Sequence, residues 1–340
     1  MTRSRVFKKP PMQISVFLPT ADRPDFLRMA LSSVAAQTAL SQVYEVVVIE
    51  NLGNRDSEKV CSEFSELPIR YIFRDPPLPP SVDALENSLE SIRGEYVAIL
   101  FDDDWWLPEH LERSIRSHEF CCDVVASYSS YIFTTGEDGY WNSFHGNFAQ
   151  WFAVSHHVNK ERRIFEFNEL LVAAVLQTAF QFSTLVAKRE ILLKCLDCIR
   201  DGNPYDTDRL ISVELGLYGK VVVDPLPTVF LRTHSDQENI RLDNSGDAAI
   251  WWDKSSNYLL ELAKVKGIDL REEFSIRMTA SGIGLQVLEK YGNARNSINF
   301  LVTNKILDRS HNVKEPSKIK KIYRALTPPI LQSLLTRVLK

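Results

Sequence analysis

Short apolar runs alternate with amphipathic stretches along the first two-thirds of this 340-residue chain. Ile14–Pro19 reads as a strand. Thr20-Ala21-Asp22-Arg23-Pro24 follows, and its proline suits the first turn of a helix. Phe26, Leu27, Ala30, Leu31, Val34 and Ala35 then recur at helical spacing as far as Gln37. Tyr44–Ile49 reads as a second strand, ending in Glu50-Asn51, and Asp56–Phe64 as a helix. Ile69–Phe73 is a third strand, and the run Pro76-Pro77-Leu78-Pro79-Pro80 fits neither a strand nor a helix interior. Val82–Arg93 reads as a helix closed by Gly94 as its C′ residue. The apolar run Tyr96–Phe101 is a fourth strand. Strand and helix in strict alternation predict a parallel sheet with right-handed crossovers.

The pattern then loosens. Asp123–Phe133 predicts one or two strands, and Glu169–Phe182 a helix leading into a strand. Lys188–Ile199 and Leu210–Tyr218 read as helices, the second ended by Gly219, and Val221–Val223 as a strand. Between them, Thr134–Arg163 reads as irregular and aromatic-rich, with Tyr140, Trp141, Phe144, Phe148, Trp151 and Phe152. Those rings suit either the face of a sugar or a satellite hydrophobic cluster. Beyond about Asn244, Ile250–Lys264, Asp269–Tyr291 and Ala294–Ile306 read as helices. The pattern therefore predicts an α/β domain over residues 13–240 and a helical C-terminal region over 245–340. Its last segment, 313–340, is basic and amphipathic, which suits either an anionic membrane surface or packing on the body.

Composition narrows the classes. Apolar residues make up 44% and charged residues 25%, as in a soluble globular protein, and the net charge of −4 argues against nucleic acid as a partner. The basic N-terminus lacks the apolar core of a signal peptide. With that, the five cysteines suggest reduced thiols in a cytoplasm. Cys195 and Cys198 form a lone CxxC, and His156-His157 has no carboxylate at ligand spacing, so neither is expected to hold a metal.

The chemistry concentrates where the fourth strand stops, at Asp102-Asp103-Asp104. Three consecutive carboxylates repel one another and resist burial unless opposite charge meets them. A hard divalent cation, Mg²⁺ or Mn²⁺, takes oxygen ligands from one or two carboxylates and often from substrate phosphates. The plainer reading is an acidic turn capping the helix that starts near Pro108. No glycine-rich phosphate loop occurs, since Gly282-Ile283-Gly284 lacks a third glycine and follows no strand. Asp206 and Asp208 sit at the N-terminus of the helix that runs through Leu210–Tyr218, where acids also serve as caps worth roughly 0.5–2 kcal/mol.

Taken in order, these pieces resemble the inverting glycosyltransferase family 2. The resemblance rests on Ile14–Thr20 with Arg23-Pro24 and Gln37-Thr38; on Val46–Ile49 with Glu50-Asn51; on Asn87, Gly94-Glu95-Tyr96 and Asp102–Asp104; and on Thr207-Asp208 and Arg232-Thr233-His234. It implies a GT-A fold, a Rossmann-like and mostly parallel sheet flanked by helices. It implies transfer of a hexose-type sugar from a nucleoside diphosphate sugar, a UDP-sugar favoured, to a hydroxyl of a glycan or lipid-linked glycan. Asp102 and Asp104 would form the D-x-D pair holding Mn²⁺ or Mg²⁺, with Asp104 the direct ligand and His234 completing the site. Thr20, Asp22, Arg23, Glu50, Asn87, Asp102 and Asp103 would bind the donor. Arg74 is an alternative to Arg23 for the phosphates. Asp208 would be the general base, ionised because a helix N-terminus lowers its pKa, with Asp206 as the alternative. Polysaccharide assembly at the inner face of a membrane is the implied setting. The chain departs from the family pattern at Glu50, usually Asp, at Glu86, often Arg, and at Phe101, where many relatives begin their acid run. Rival readings are an inactive sugar-nucleotide or glycan-binding module, and a sugar-nucleotide nucleotidyltransferase.

Overall fold

The N-terminal apolar runs become strands because both of their faces are covered. A computed structural model of the chain describes residues 12–51, 53–77, 82–135, 140–142, 144–155, 163–199, 206–234, 247–291 and 295–308. Strands β1 (Ile14–Thr20), β2 (Val43–Glu50), β3 (Ile69–Phe73) and β4 (Tyr96–Ile99) run parallel in the order β3-β2-β1-β4. Helices α1 (Pro24–Ala35), α2 (Asp56–Ser62) and α3 (Val82–Glu90) lie in their crossovers. Phe17, Val47, Ile49, Val97 and Ile99 enter one hydrophobic cluster; Val16, Leu18, Val46, Val48 and Ala98 enter the other. This two-residue alternation is what a strand buried on both faces produces.

The chain continues through β5 (Trp105–Trp106), α4 (His110–His118), β6 (Val124–Thr134), β7 (Tyr140–Asn142), α5 (Phe144–Ala153), β8 (Arg163–Phe165) and α6 (Phe167–Leu176). Then come β9 (Leu185–Lys188), α7 (Arg189–Ile199), α8 (Thr207–Leu215) and β10 (Lys220–Arg232). Beyond β4 the sheet is mixed, in the order β9-β6-β10-β5. β9 pairs antiparallel with both β4 and β6, and β10 runs parallel to β6. The parallel order expected from the alternation holds for β1–β4; beyond them β8 runs antiparallel to β10. The helix that follows it, α6, therefore delivers the chain to the carboxyl edge, and β9 enters backwards. Two reversals cancel, so β6 and β10 point the same way as β1 and β4. The carboxyl ends of β1, β4, β6 and β10 and the start of β9 share one edge.

Four expectations are corrected. Thr134–Arg163 is not irregular throughout: it contains β7 and α5, and Phe152 is fully buried in the main cluster, so that ring is core. The side chains of Tyr140, Trp141, Phe144 and Phe148, with His156-His157 and the tail 313–340, lie outside the described residues. Gly219 does not end α8, which stops at Leu215 with Gly216 as its C-cap. The single helix over Asp269–Tyr291 is two. After α9 (Asp247–Val265), α10 (Leu270–Ser281) ends at Gly282, whose φ of +68° suits glycine, and α11 (Leu285–Tyr291) and α12 (Arg295–Thr303) follow. Leu259, Phe274, Ile283, Ile298 and Leu301 share one cluster with β1, β4 and β6, so these helices extend the core. Among the described residues no helix is long and apolar enough to cross a membrane.

Gly94 is the fourth correction. α3 ends at Glu90, before it, and Gly94 does not cap the helix. Its N–H donates to the Ser15 hydroxyl at 2.8 Å, and an added Cβ would sit 2.5 Å from that oxygen and 2.9 Å from the Gln13 carbonyl. The residue is small because β4 enters against β1 there. Gly94→Ala is expected to destabilise the fold by about 1–3 kcal/mol through overpacking, read as a lower urea midpoint with unchanged slope.

Candidate functional site

β1 marks the point where the strand order reverses: its crossover leads outward to β2, and the chain later returns to its other side as β4. Ligands in open α/β sheets bind in the crevice at such a point, beyond the carboxyl ends. Here the end of β1 supplies Thr20, Asp22 and Arg23, and the end of β4 supplies the acid run. Thr20 donates to Asp102 Oδ2 at 2.7 Å, and the Arg23 guanidinium stands 2.8 Å from Asp102 Oδ1 and 3.6 Å from Asp103 Oδ2. Asp102 is 1% exposed; burial raises its pKa to about 6 against the opposing pull of Arg23. Asp22 is exposed, with φ +55°.

The three carboxylates face three ways. Asp104 turns into the protein, where Oδ2 accepts from the Ser183 hydroxyl at 2.5 Å and Oδ1 from the Arg232 N–H at 3.0 Å. Burial, with Asp103 beside it, pushes its pKa well above the usual carboxylate range. Trp106 Nε1 holds the same turn by donating to the Ser183 carbonyl at 2.8 Å. Asp103 keeps 13% of its side chain exposed, and its Oδ2 lies 3.1 Å from His234 Nε2. The Arg232 guanidinium lies over the Phe26 and Trp105 rings, and its Nε donates to the Asp103 carbonyl at 3.1 Å. The end of β4, the approach to β9 and the end of β10 therefore meet.

The Asp103 carboxylate and the His234 imidazole are groups of the kind that a divalent ion takes. Two adjacent ligands at about 2.1 Å from an octahedral ion stand about 3.0 Å apart, close to the Asp103–His234 spacing. Among the described residues no group of three His, Cys, Asp or Glu side chains is arranged to hold a metal ion by itself. Two protein groups with the remaining positions filled by phosphate and water is the usual arrangement for a nucleotide-bound ion. Asp102, Asp103, His234 and Arg23 are thus brought together, and both Asp104 oxygens are taken up inside the fold.

Glu50 ends β2 fully buried. The Tyr71 hydroxyl donates to its Oε2, and Oε1 has no hydrogen-bond partner. Gly53, at φ +136°, leaves room for that oxygen, because a Cβ there would collide with it. The Asn51 N–H donates to the Thr20 carbonyl at 3.0 Å and joins this corner to the crevice. Asn87 is exposed on α3, and its neighbour Ser88 accepts from Arg74 at 2.7 Å.

α8 leads back to the start of β10, so its N-terminus also lies at the carboxyl edge. Asp206 occupies the N-cap position without capping; its Oδ2 stands 3.3 Å from Arg209 and accepts from the Ser255 hydroxyl. Asp208 Oδ1 accepts from the Arg209 N–H at 2.8 Å. The expected lowering of the Asp208 pKa is overturned. Burial, seconded by Asp206, raises it to about 7, because desolvation exceeds the help of the backbone N–H groups and Arg209. Tyr128 and Tyr131 on β6 feel the Asp208 charge, which adds to the burial that raises their own hydroxyls.

Sequence reasoning missed Ser183, Tyr71 and Arg209. Each acts through a partner 21 or more residues away, Ser183 on Asp104, Tyr71 on Glu50, Arg209 on Ser255 and Ser256. No local pattern marks such residues.

Comparison with known proteins agrees with this arrangement. The family model described as glycosyl transferase family 2 matches residues 15–185, half of the chain. An uncharacterized glycosyltransferase, MJ1057 of Methanocaldococcus jannaschii, is 28% identical over 128 residues, 37% of this chain and 43% of that protein. Glycosyltransferase GlyA of Streptococcus pneumoniae serotype 4 is 27% identical over 121 residues, 35% of this chain and 17% of its own length. The chain thus spans less than half of either relative. Among solved structures, S. aureus TarS 1–349 in complex with UDP-GlcNAc superposes with a TM-score of 0.51 at 14% identity, over 68% of this chain and 61% of that one. Mannosyltransferase PcManGT from Pyrobaculum calidifontis, in complex with GDP-Man and Mn²⁺, gives 0.50 at 14% identity, over 86% and 79%. At such identities the likeness is one of fold, and the fold is GT-A.

Ser183→Ala would leave a buried Asp104 oxygen without its donor. The variant is expected to lose about 1–3 kcal/mol of stability, measured by urea denaturation. A wild-type midpoint would remove Ser183 from the support of the acid run.

Proposed function

This chain belongs to glycosyl transferase family 2, and on that premise we propose that it transfers a sugar, with inversion at the anomeric carbon, from a nucleoside diphosphate sugar to a hydroxyl of a glycan or lipid-linked glycan. The observation that carries the reading is the meeting of Arg23, Asp102–Asp104 and Arg232–His234 at one sheet edge, with Asp208 at the same edge. The nucleotide sugars held by the two solved neighbours, one a UDP-sugar and one a GDP-sugar, support that donor class.

Glu50 would receive the nucleobase: its unpartnered buried Oε1 suits a ring N–H donor. Thr20, Asp22 and Arg23 would line the path of the ribose and diphosphate. Asp103 and His234 would hold a Mn²⁺ or Mg²⁺ ion, with Asp102 behind them facing Arg23. Such an ion acts as a Lewis acid that offsets the charge on a departing diphosphate. Asp104 would keep the turn in place through Ser183 and the Arg232 backbone. Asp208 would take the proton from the acceptor hydroxyl. Asp206 is less suited to that role, because Arg209 and Ser255 already engage its carboxylate. A base with a pKa of about 7 balances availability against driving force at neutral pH. The same residues weigh against an inactive binding module, which has no need of a half-buried carboxylate tuned to neutrality.

Two outcomes test this. Asp103→Asn should weaken donor binding at least tenfold in Mn²⁺ while leaving metal-free donor binding as in wild type, by calorimetry; equal loss in both conditions would remove Asp103 from the ion. Asp208→Asn should retain donor binding and lose 10²-fold or more in turnover. In the wild type, a base must be deprotonated to act, so kcat should rise with pH through about 7. A flat profile from pH 5 to 9, with chemistry limiting, would exclude this assignment.

A further inference from the structure

Arg209 is fully buried beside Asp208, and the groups that hold it come largely from outside the stretch matched by the family model. Its Nε donates to the Ala174 carbonyl at 2.7 Å. One terminal nitrogen stands 3.3 Å from both Asp206 Oδ2 and Ser255 Oγ, and the other donates to Ser256 Oγ at 3.0 Å. The guanidinium lies 3.6 Å over the Trp252 ring. The Ser255 hydroxyl, while accepting from Arg209, also donates to Asp206. Trp252, Ser255 and Ser256 all lie on α9.

We propose that α9 completes the catalytic site: Trp252, Ser255 and Ser256 are positioning residues that hold the Arg209–Asp206 pair beside Asp208, whose Oδ1 accepts from the Arg209 N–H, and so aim the base. The inference rests on the reading of Asp208 as that base. A buried cation is a poor way merely to join two helices, because apolar side chains of similar size stabilise as well or better. What a guanidinium adds is direction, since its fork fixes several partners at once. It also adds charge. Burial lowers the Arg209 pKa to about 10, so the group stays charged at neutral pH. The groups acting on Asp208 are Asp206, Arg209 and backbone N–H groups of its own helix, with Tyr128 and Tyr131 facing it from β6. Asp206 pushes its pKa up and Arg209 pulls it down, so the grip of α9 on both sets the balance.

The test is Ser255→Ala combined with Ser256→Ala, which keeps the packing and removes the hydroxyls. The full chain is assayed for kcat, donor KM and the pH dependence of kcat. We expect kcat at pH 7 to fall tenfold or more with donor KM within twofold of wild type. The acid limb should leave its wild-type position, because the opposed charges of Asp206 and Arg209 are no longer held at fixed distances from Asp208. Arg209→Lys, which keeps the charge and loses the fork, should behave likewise; the serine variant carries the test if the lysine variant does not fold. Arg277→Lys is the control. Arg277, on α10, is also buried, donating to the Ala153 carbonyl at 2.6 Å and pairing with Glu273 at 2.6 Å. That variant should lose stability and keep its kcat and acid limb. Wild-type kcat and acid limb in the serine variant overturn the inference, as does an equal loss of kcat in Arg277→Lys. Full turnover in Asp208→Asn would instead remove the base reading itself, which separates the two failures.

Discussion

Three neighbouring carboxylates can end one strand only if each finds a different partner, and the arrangement of this edge follows from that. Asp102 meets Arg23 and Thr20 from the end of β1. Asp104 meets Ser183 from the approach to β9 and the Arg232 N–H from the end of β10. Asp103, the most exposed of the three, meets His234. Buried charge without such partners would cost several kcal/mol per group, so the acid run draws segments over 200 residues apart in sequence onto one edge.

The mixed sheet makes this possible. Had every strand after β4 followed a parallel crossover, the approach to β9 would lie at the opposite edge from the acid run. The backward entry of β9 puts Ser183 beside Asp104, and the return of β6 and β10 to the first direction puts Arg232 and His234 beside Asp103. The proposed donor, with its charged leaving group, would need opposed charges held at fixed spacing, and this sheet end supplies them.

The C-terminal helices belong to the same design. They share a hydrophobic cluster with the sheet, and α9 reaches the helix that carries Asp208. Asp208 shows why burial matters as much as position. A helix N-terminus favours a carboxylate, but removal from water outweighs that preference here.

Much of this was legible in the residues. The apolar runs at β1–β4 and the amphipathic spacing of α1 predicted the first half of the sheet, because both depend on local periodicity. The acid run stood out because charged groups next to an apolar run are conspicuous, whereas Asp208 and Arg232-Thr233-His234 stood out through the family resemblance. The sequence could not show that Gly94 answers to Ser15, that Asp104 turns inward to Ser183, or that Arg209 is buried against Ser255 and Ser256. Each of those depends on which distant strand or helix arrives alongside, and so does the pKa of a buried acid. Periodicity along a chain decides what an element is; only packing between elements decides which polar groups meet, how dry they are, and therefore what they can do.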